Sequence, residues 1–286
     1  MKSVRLRSPA KINIFLRVLG RRPDGYHEIE TLFQEIELAD EIILKKTKGR
    51  TTLKVFGSPE LETGDNIIFK ALDWIESMCG RRFNLEILLH KNIPVAAGLG
   101  GGSSNAAALI CGVKKLFDLE WLDTDCLSPS AFSIGADVPF FLHGGSAIGE
   151  GIGEKLTLVS LEGPEQVILI NPGFPVSTAM IYCEISKTLT EKMRKGILKR
   201  LYGESRDSRR FLHNDLQPVA ERLHPDISEA LTALRLAGIE APLMSGSGPT
   251  VFGFCEDDTF DPKSLMLSKP WSVWKTRLAK KGIIVD

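Results

Sequence analysis

Neither sign of charge is in surplus: Lys and Arg number 36, and Asp and Glu number 36, across 286 residues. This balance removes the electrostatic footprint of a nucleic-acid or anionic-membrane ligand. No nucleic acid and no membrane is therefore expected, and a small molecule is the expected partner. Cysteine is scattered, at Cys79, Cys111, Cys126, Cys183 and Cys255, and never forms C-x-x-C. An odd, dispersed set argues against a disulfide framework and against a zinc site, and fits a reducing cytoplasm. No window approaches a membrane-spanning run of apolar residues, and Met1-Lys2-Ser3 leads directly into a strand-like stretch, which predicts a soluble, unexported protein. Tandem repeats and low-complexity tracts are missing as well.

What is present is ordinary globular material, 43% hydrophobic and 25% charged, in a chain long enough for two domains. Alternation and turn signals predict strands at 4–7, 12–19, 29–38, 41–46 and 51–56, with "RPDGY" as one of the turns. Helical spacing predicts a helix over 66–80 with Gly80 as its stop, and another over 104–117 through Ala106, Leu109, Ile110, Val113, Leu116 and Phe117. A strand at 165–172, a helix at 226–238 and a strand pair around a glycine turn at 241–256 follow. The boundary between domains is drawn at 1–158 and 159–286. The basic stretch Lys192–Arg210 reads as a solvated helix face and loop.

Residues 96–109, "AAGLGGGSSNAAAL", carry the first chemical signal. A helix N-terminus offers unpaired N–H groups and partial positive charge, and glycines let those groups approach an anion closely. The run therefore predicts a phosphate cradle ending where the helix at 104 begins. The competing reading is a glycine-rich turn capped by Ser103 or Ser104. The cradle is not a P-loop, since no G-x-x-x-x-G-K-[ST] occurs. It is not a dinucleotide fingerprint either, since Ser103 stands where the third glycine belongs. Protein-kinase H-R-D and D-F-G signatures are absent.

Two further segments join it. In "SPAKINIFLRVLG" (8–20), alternation places Ala10, Ile12, Ile14 and Leu16 on one face and Lys11, Asn13 and Phe15 on the other, so that Lys11 and Asn13 project together. Taken alone, Lys11 reads as a solvent-facing strand residue. "MSGSGPTVFG" (244–253) is a second glycine/serine loop.

In this order the segments resemble the GHMP kinases, the superfamily of galactokinase, homoserine kinase and the mevalonate kinases, nearly end to end. Within it, "PAKINIFL", "RPDGYHEIETLFQ", "GLGGGSSNAA", "GADVPFFL" and "SGSGPTVF" are similar to the branch that uses ATP to phosphorylate the 2-hydroxyl of 4-diphosphocytidyl-2-C-methyl-D-erythritol in the non-mevalonate isoprenoid pathway. The resemblance implies an α/β (α+β), two-domain GHMP kinase fold. Its N-terminal domain would be ribosomal-protein-S5-domain-2-like and its C-terminal domain ferredoxin-like, with the substrates meeting between them. It also implies a bacterial cytoplasmic enzyme, a monomer or weak homodimer.

By the same resemblance Lys11 and Asp137 are catalytic. Asp137 would accept the proton of the substrate hydroxyl, and Lys11 would hold that aspartate ionised and steady the transferring oxygens. Without the resemblance, Asp137 reads as an N-cap before "VPFFL". Asn13, Tyr26, His27 and Tyr182 would bind the substrate, with Tyr26 and Tyr182 sandwiching the cytosine and His27 bonding its edge; Tyr182 alternatively reads as a core tyrosine. ATP would lie along Pro94, Val95, Ala96, Ala97, Gly98, Leu99, Gly100, Gly101, Gly102, Ser103 and Ser104. Asn66 and Lys91 would stand near its adenosine, although Lys91 also reads as a solvated strand end. Mg2+ would arrive with the nucleotide, without a protein ligand. Val95-Ala96-Ala97 replaces the methionine or extra glycines of some members, and 186–210 matches no pattern of the family. In "FLHNDLQPVAERLHP" (211–225), "ND" resembles a segment of the family but no role follows from its chemistry, so His213 and Asn214 stay outside the expected site.

Overall fold

The computed structural model describes residues 2–187, 196–280 and 282–286. Lys192–Lys195 of the basic stretch lie outside the described residues. Its remainder enters a helix whose Lys199 and Arg200 are exposed.

Two long strands, β1 (Ser3–Arg21) and β2 (His27–Lys46), form the spine, joined by the tight "RPDGY" turn. The separate strands expected at 29–38 and 41–46 are thus one. Around the spine lie β3 (Thr52–Phe56), β4 (Leu85–His90), β5 (Ser146–Gly151) and β6 (Lys155–Val159). The far half of β2, Glu41–Lys46, pairs with β4, while Ile29–Gln34 pairs with β5, so β2 divides its partners along its length. The second sheet takes the order β11 (Ser272–Arg277), β7 (Gln166–Asn171), β10 (Val251–Cys255), β9 (Leu243–Met244), and is antiparallel throughout. Two short strands tie the halves together. β8 (His213–Asn214) lies parallel to β1, and the C-terminal β12 (Ile284–Val285) returns to pair with it.

The helices are α1 (Ile67–Cys79), α2 (Gly101–Leu116), α3 (Thr124–Ala131) and α4 (Val138–His143) in the first half, and α5 (Thr178–Ser186), α6 (Ile197–Glu204), α7 (Gln217–Leu223) and α8 (Pro225–Leu236) in the second. α1 is bounded by side-chain chemistry: Asn66 accepts from the Ile68 N–H at its start, and Gly80 takes the left-handed φ of 62° that closes it. α2 packs Ala106, Leu109, Ile110 and Val113 under the first sheet in one apolar core with Ile42, Leu44, Ile68 and Leu72. β7 is buried on both faces. Its Val167 and Leu169 meet Ile12, Ile14 and Leu32 of the first sheet, while Ile168 and Ile170 meet Ala230, Leu231 and Leu234 of α8. This shared core fixes the two sheets against each other and opens a cleft along β1.

The strict alternation expected for 8–20 does not survive. The β1–β2 register slips between Asn13 and Phe15, a bulge that reverses which side each later residue faces. Phe15 consequently joins Ala10, Ile12 and Ile14 in one core, and Leu16 moves to the other with Val18 and Ile29. Lys11 and Asn13 precede the slip and keep their common direction.

Candidate active site

The glycine run folds differently from its expected form. α2 begins at Gly101, three residues earlier than the spacing predicts, so Gly101 and Gly102 are its first turn. Its N-cap is Gly100, in the left-handed region with φ 71°, and no side chain caps it. The serine-capped turn is therefore excluded, and the first-turn N–H groups stay free of a side-chain acceptor. Ser104 is fully buried and its hydroxyl meets that of Ser8 at 2.7 Å. Neither Ser104, turned inward by the first turn of α2, nor Leu99, buried in the loop before that helix, lines the cleft. Ala96 takes φ 52°, a conformation that costs an L-residue about 1 kcal/mol and that glycine would adopt freely.

The two glycine loops meet. A Cβ at Gly98 would stand 2.2 Å from the Ser245 carbonyl oxygen, so only glycine allows this contact at φ 75°. The Ser245 hydroxyl donates to the Gly98 carbonyl at 2.9 Å and accepts from the Asn13 N–H at 3.3 Å, lacing β1 to both loops. Asn214 completes the clamp. Its amide donates to the carbonyls of Met244 and Gly246 at 2.8 Å each, and its oxygen accepts from the Leu216 N–H. The partners of Asn214 are backbone carbonyls some thirty positions later, which no local pattern announces; the likeness of "ND" to a segment of the family is the signal that the sequence carries.

Lys11 is buried beneath this junction. Its ammonium donates to Asn13 Oδ1 at 2.5 Å and to the Gly98 carbonyl at 3.0 Å, and lies 3.7 Å from Asp137 Oδ2. Burial lowers its pKa, and the Asp137 charge opposes that shift. Lys11 is therefore no solvated strand residue. Asp137 stands directly before α4 but has helical dihedrals, and its side chain makes no cap bond. The N-cap reading fails for that reason, and the carboxylate turns to Lys11 instead. Asn13 donates to Thr31 Oγ1 at 2.8 Å, which fixes the oxygen that Lys11 uses.

Lys91 makes the opposite arrangement. It is buried, not solvated, and its ammonium is bonded to the fully buried Asp40. Asp40 also accepts from the N–H groups of Asn92 and Ile93 and from the Asn105 amide. Asn66 likewise has internal duties, capping α1 and donating to the Leu61 carbonyl. Both residues line the cleft.

A cleft of about 1290 Å³ runs between the loops and the β1–β2 turn. Its walls include Lys11, Asn13, Asp137, Pro94–Gly98, Gly100–Ser103, Tyr26, His27 and Tyr182, so the structure brings together every expected site residue except Leu99 and Ser104. At the far end Tyr26 is 60% exposed, free to receive a planar group. The rings of His27 and Tyr182 lie 4.9 Å apart at 32°. Tyr182 is half-buried, packed against the core of the second half on one side and lining the cleft on the other, and burial, then the Asp137 charge, pushes its phenol pKa up. His27 is held below its usual pKa by burial and by Arg21. The second glycine loop also contributes Gly246 and Ser247 to the wall, with Thr178 and Ser247 hydroxyls 2.7 Å apart. In the sequence that loop reads only as a glycine/serine turn, with no residue assigned to the site.

The arrangement pairs an anion-receiving helix start with a buried cation, an adjacent carboxylate and an aromatic end. Comparisons with known proteins identify the family. Residues 66–145 match the family model for the GHMP kinases N terminal domain, and 191–264 the GHMP kinases C terminal model. A 4-diphosphocytidyl-2-C-methyl-D-erythritol kinase of Geobacter metallireducens is 41% identical over 97% of this chain and 99% of that protein. One of Syntrophus aciditrophicus is 41% identical over 96% and 99%. A crystal structure of 4-(cytidine 5'-diphospho)-2C-methyl-D-erythritol kinase aligns with TM-score 0.73 and 31% identity, covering 96% of this chain and 99% of that one. The homoserine kinase of Cytophaga hutchinsonii, at 17% identity and TM-score 0.72, shares the fold. With two curated relatives at 41% identity over nearly their whole length and both halves matched by family models, the chain belongs to the GHMP kinases, in the branch of the 4-diphosphocytidyl-2-C-methyl-D-erythritol kinases.

Proposed function

We propose that this chain transfers the γ-phosphoryl group of MgATP to the 2-hydroxyl of 4-diphosphocytidyl-2-C-methyl-D-erythritol, releasing ADP and the 2-phosphate, a step of the non-mevalonate isoprenoid pathway. The observation that carries the reading is the buried Lys11 ammonium 3.7 Å from the Asp137 carboxylate, in a cleft with free helix N–H groups on one side and aromatic rings on the other.

Phosphoryl transfer asks a protein for position and charge, with little covalent work. The first turn of α2, with Gly98, Gly100 and Ser103, receives the phosphates of ATP, and Asn66 and Lys91 shape the adenosine end. Lys11 stands where negative charge gathers on the moving group. Asn13 and the Gly98 carbonyl hold its ammonium in place before substrate arrives, so no reorganisation is needed at the moment of transfer. Asp137 orients the acceptor hydroxyl and takes its proton. Tyr26 and Tyr182 hold the cytosine face to face and His27 bonds its edge. Asp65 and Asp137 are the only carboxylates of the cleft wall among the described residues, and no group of three His, Cys, Asp or Glu there could hold a metal ion. Mg2+ would come with the nucleotide and would supply neutralisation of charge on the transferring group.

The same reading divides the chain near residue 158 into a nucleotide-binding and a second domain. It takes the protein as a cytoplasmic bacterial enzyme, monomeric or weakly dimeric. Among the described residues no helix is long and apolar enough to cross a membrane.

The test is ADP release with MgATP and, in parallel, 4-diphosphocytidyl-2-C-methyl-D-erythritol, homoserine and mevalonate. Turnover of the cytidyl acceptor alone is expected. Turnover of homoserine or mevalonate instead would assign the chain to another GHMP kinase activity, and ATP binding without any turnover would leave a silent nucleotide-binding protein.

A further inference from the structure

The aromatic end of the cleft contains a hydroxyl whose hydrogen bonds can be counted. Ser186 is the last residue of α5, four positions after Tyr182. Its Oγ donates to the Tyr182 carbonyl at 2.7 Å, as a carbonyl can only accept. The same oxygen lies 2.6 Å from His27 Nε2. A serine hydroxyl has one proton, and here it is spent on Tyr182. Toward the histidine the oxygen can only accept, so Nε2 must carry the hydrogen.

Burial and the Arg21 charge hold the His27 pKa down, so near neutral pH the ring has a single N–H. With that N–H on Nε2, Nδ1 is left with a lone pair, and it has no hydrogen-bond partner among the described residues. A lone pair at this position favours a base edge that donates. Cytosine presents its exocyclic amine there, whereas a uracil-type base presents a carbonyl oxygen, which an acceptor would repel.

We propose that Ser186 is a specificity-determining positioning residue: by accepting from His27 Nε2 it fixes the histidine tautomer and makes the site choose a cytidyl over a uridyl acceptor. The Tyr182 carbonyl acts through it by orienting the serine proton. The inference rests on the assignment of the cytidine moiety to the Tyr26, His27 and Tyr182 end.

The experiment compares full-length wild type, Ser186→Ala and Ser186→Thr on the cytidyl acceptor and on its uridyl analogue. The His27 ring nitrogens are followed by long-range proton–nitrogen NMR, assigned through His27→Gln. Wild type and Ser186→Thr, which keeps the hydroxyl, are expected to show the Nε2–H tautomer and to prefer the cytidyl acceptor. Ser186→Ala is expected to show mixed tautomers. Its preference should fall roughly tenfold, the worth of one hydrogen bond, through KM with kcat nearly unchanged. If Ser186→Ala fails to fold, Ser186→Cys, a weak donor and acceptor of similar size, is expected to behave in its place. An unchanged tautomer and an unchanged preference in the hydroxyl-free variant would overturn the proposal. Absence of wild-type turnover on the cytidyl acceptor would instead overturn the proposed function, and the NMR comparison would still decide whether Ser186 sets the tautomer.

Discussion

Lys11 and Lys91 approach the Gly98–Gly102 turn with their side chains buried, both within reach of the start of α2. The ammonium of Lys91 is bonded to Asp40, itself held by two backbone N–H groups and the Asn105 amide, so that charge is cancelled inside the fold. Lys11 is bonded to neutral oxygens, and its carboxylate partner stands at the cleft at 3.7 Å, beyond hydrogen-bond distance. A lysine cancelled by a buried carboxylate stabilises a loop. A lysine held by neutral oxygens keeps most of its field for an incoming phosphate. On the proposed function, the same residue type serves as a strut in one place and as a charge held ready in the other.

Replacing each lysine with methionine would break or sharpen this contrast. Lys11→Met removes a desolvated charge but leaves the buried Asn13 Oδ1 without its donor, so stability should fall by about 1 to 2 kcal/mol. Turnover should fall roughly 10² to 10³-fold, the usual effect of losing one preorganised donor. Lys91→Met leaves Asp40 buried and unpaired and should cost roughly 3 to 5 kcal/mol of stability. Urea unfolding and steady-state kinetics on both proteins measure the two effects. Equal losses of stability would erase the distinction.

A buried carboxyl on β2 gives a smaller test. Glu35 lies opposite Lys11 in the β1–β2 register, fully buried, with one oxygen accepting from the Gly145 N–H at 2.8 Å and the other without a partner. Burial pushes its carboxyl pKa up to about 8 from 4.5, against the effect of that N–H. Between those values the folded state holds a proton that the unfolded state has lost. The contribution of Glu35 to stability is therefore full below the lower value and declines as pH rises through the upper one. Glu35→Gln should remove that decline, raising Tm by a few degrees at pH 8 and changing it little at pH 5. A wild-type Tm that falls no more steeply than that of the variant would show that the carboxyl is not protonated in the fold.

The motifs made much of this site legible. Glycines at 98 and 100, the early lysine strand and "GADVP" are local patterns with local causes, and the structure draws them into one cleft. What stayed hidden depends on partners far along the chain or on a single slip of register. The bulge after Asn13 is invisible to alternation. The helix start at Gly101 follows from loop packing against Ser245, which no helix rule would place on two glycines. The inward direction of Ser104 is hidden because a helix rotates neighbours by about 100°, so one serine faces the cleft while the next faces Ser8. Asp40 stands 51 positions before Lys91, and nothing in "LLHKNIP" announces it. Asn214 and Ser186 act through backbone carbonyls and a histidine nitrogen, contacts that leave no residue pattern to read.

The central claim is that Asp137 and Lys11 act on the moving phosphoryl group whereas the rest of the junction holds them in place. Asp137→Asn tests it most directly, because the amide keeps the size and loses the charge. ATP affinity by calorimetry and the rate of ADP formation with saturating MgATP and cytidyl acceptor should be measured on the same preparation. The account predicts ATP affinity within about threefold of wild type and turnover lower by roughly 10² to 10⁴-fold. Near-normal turnover in that variant would contradict it.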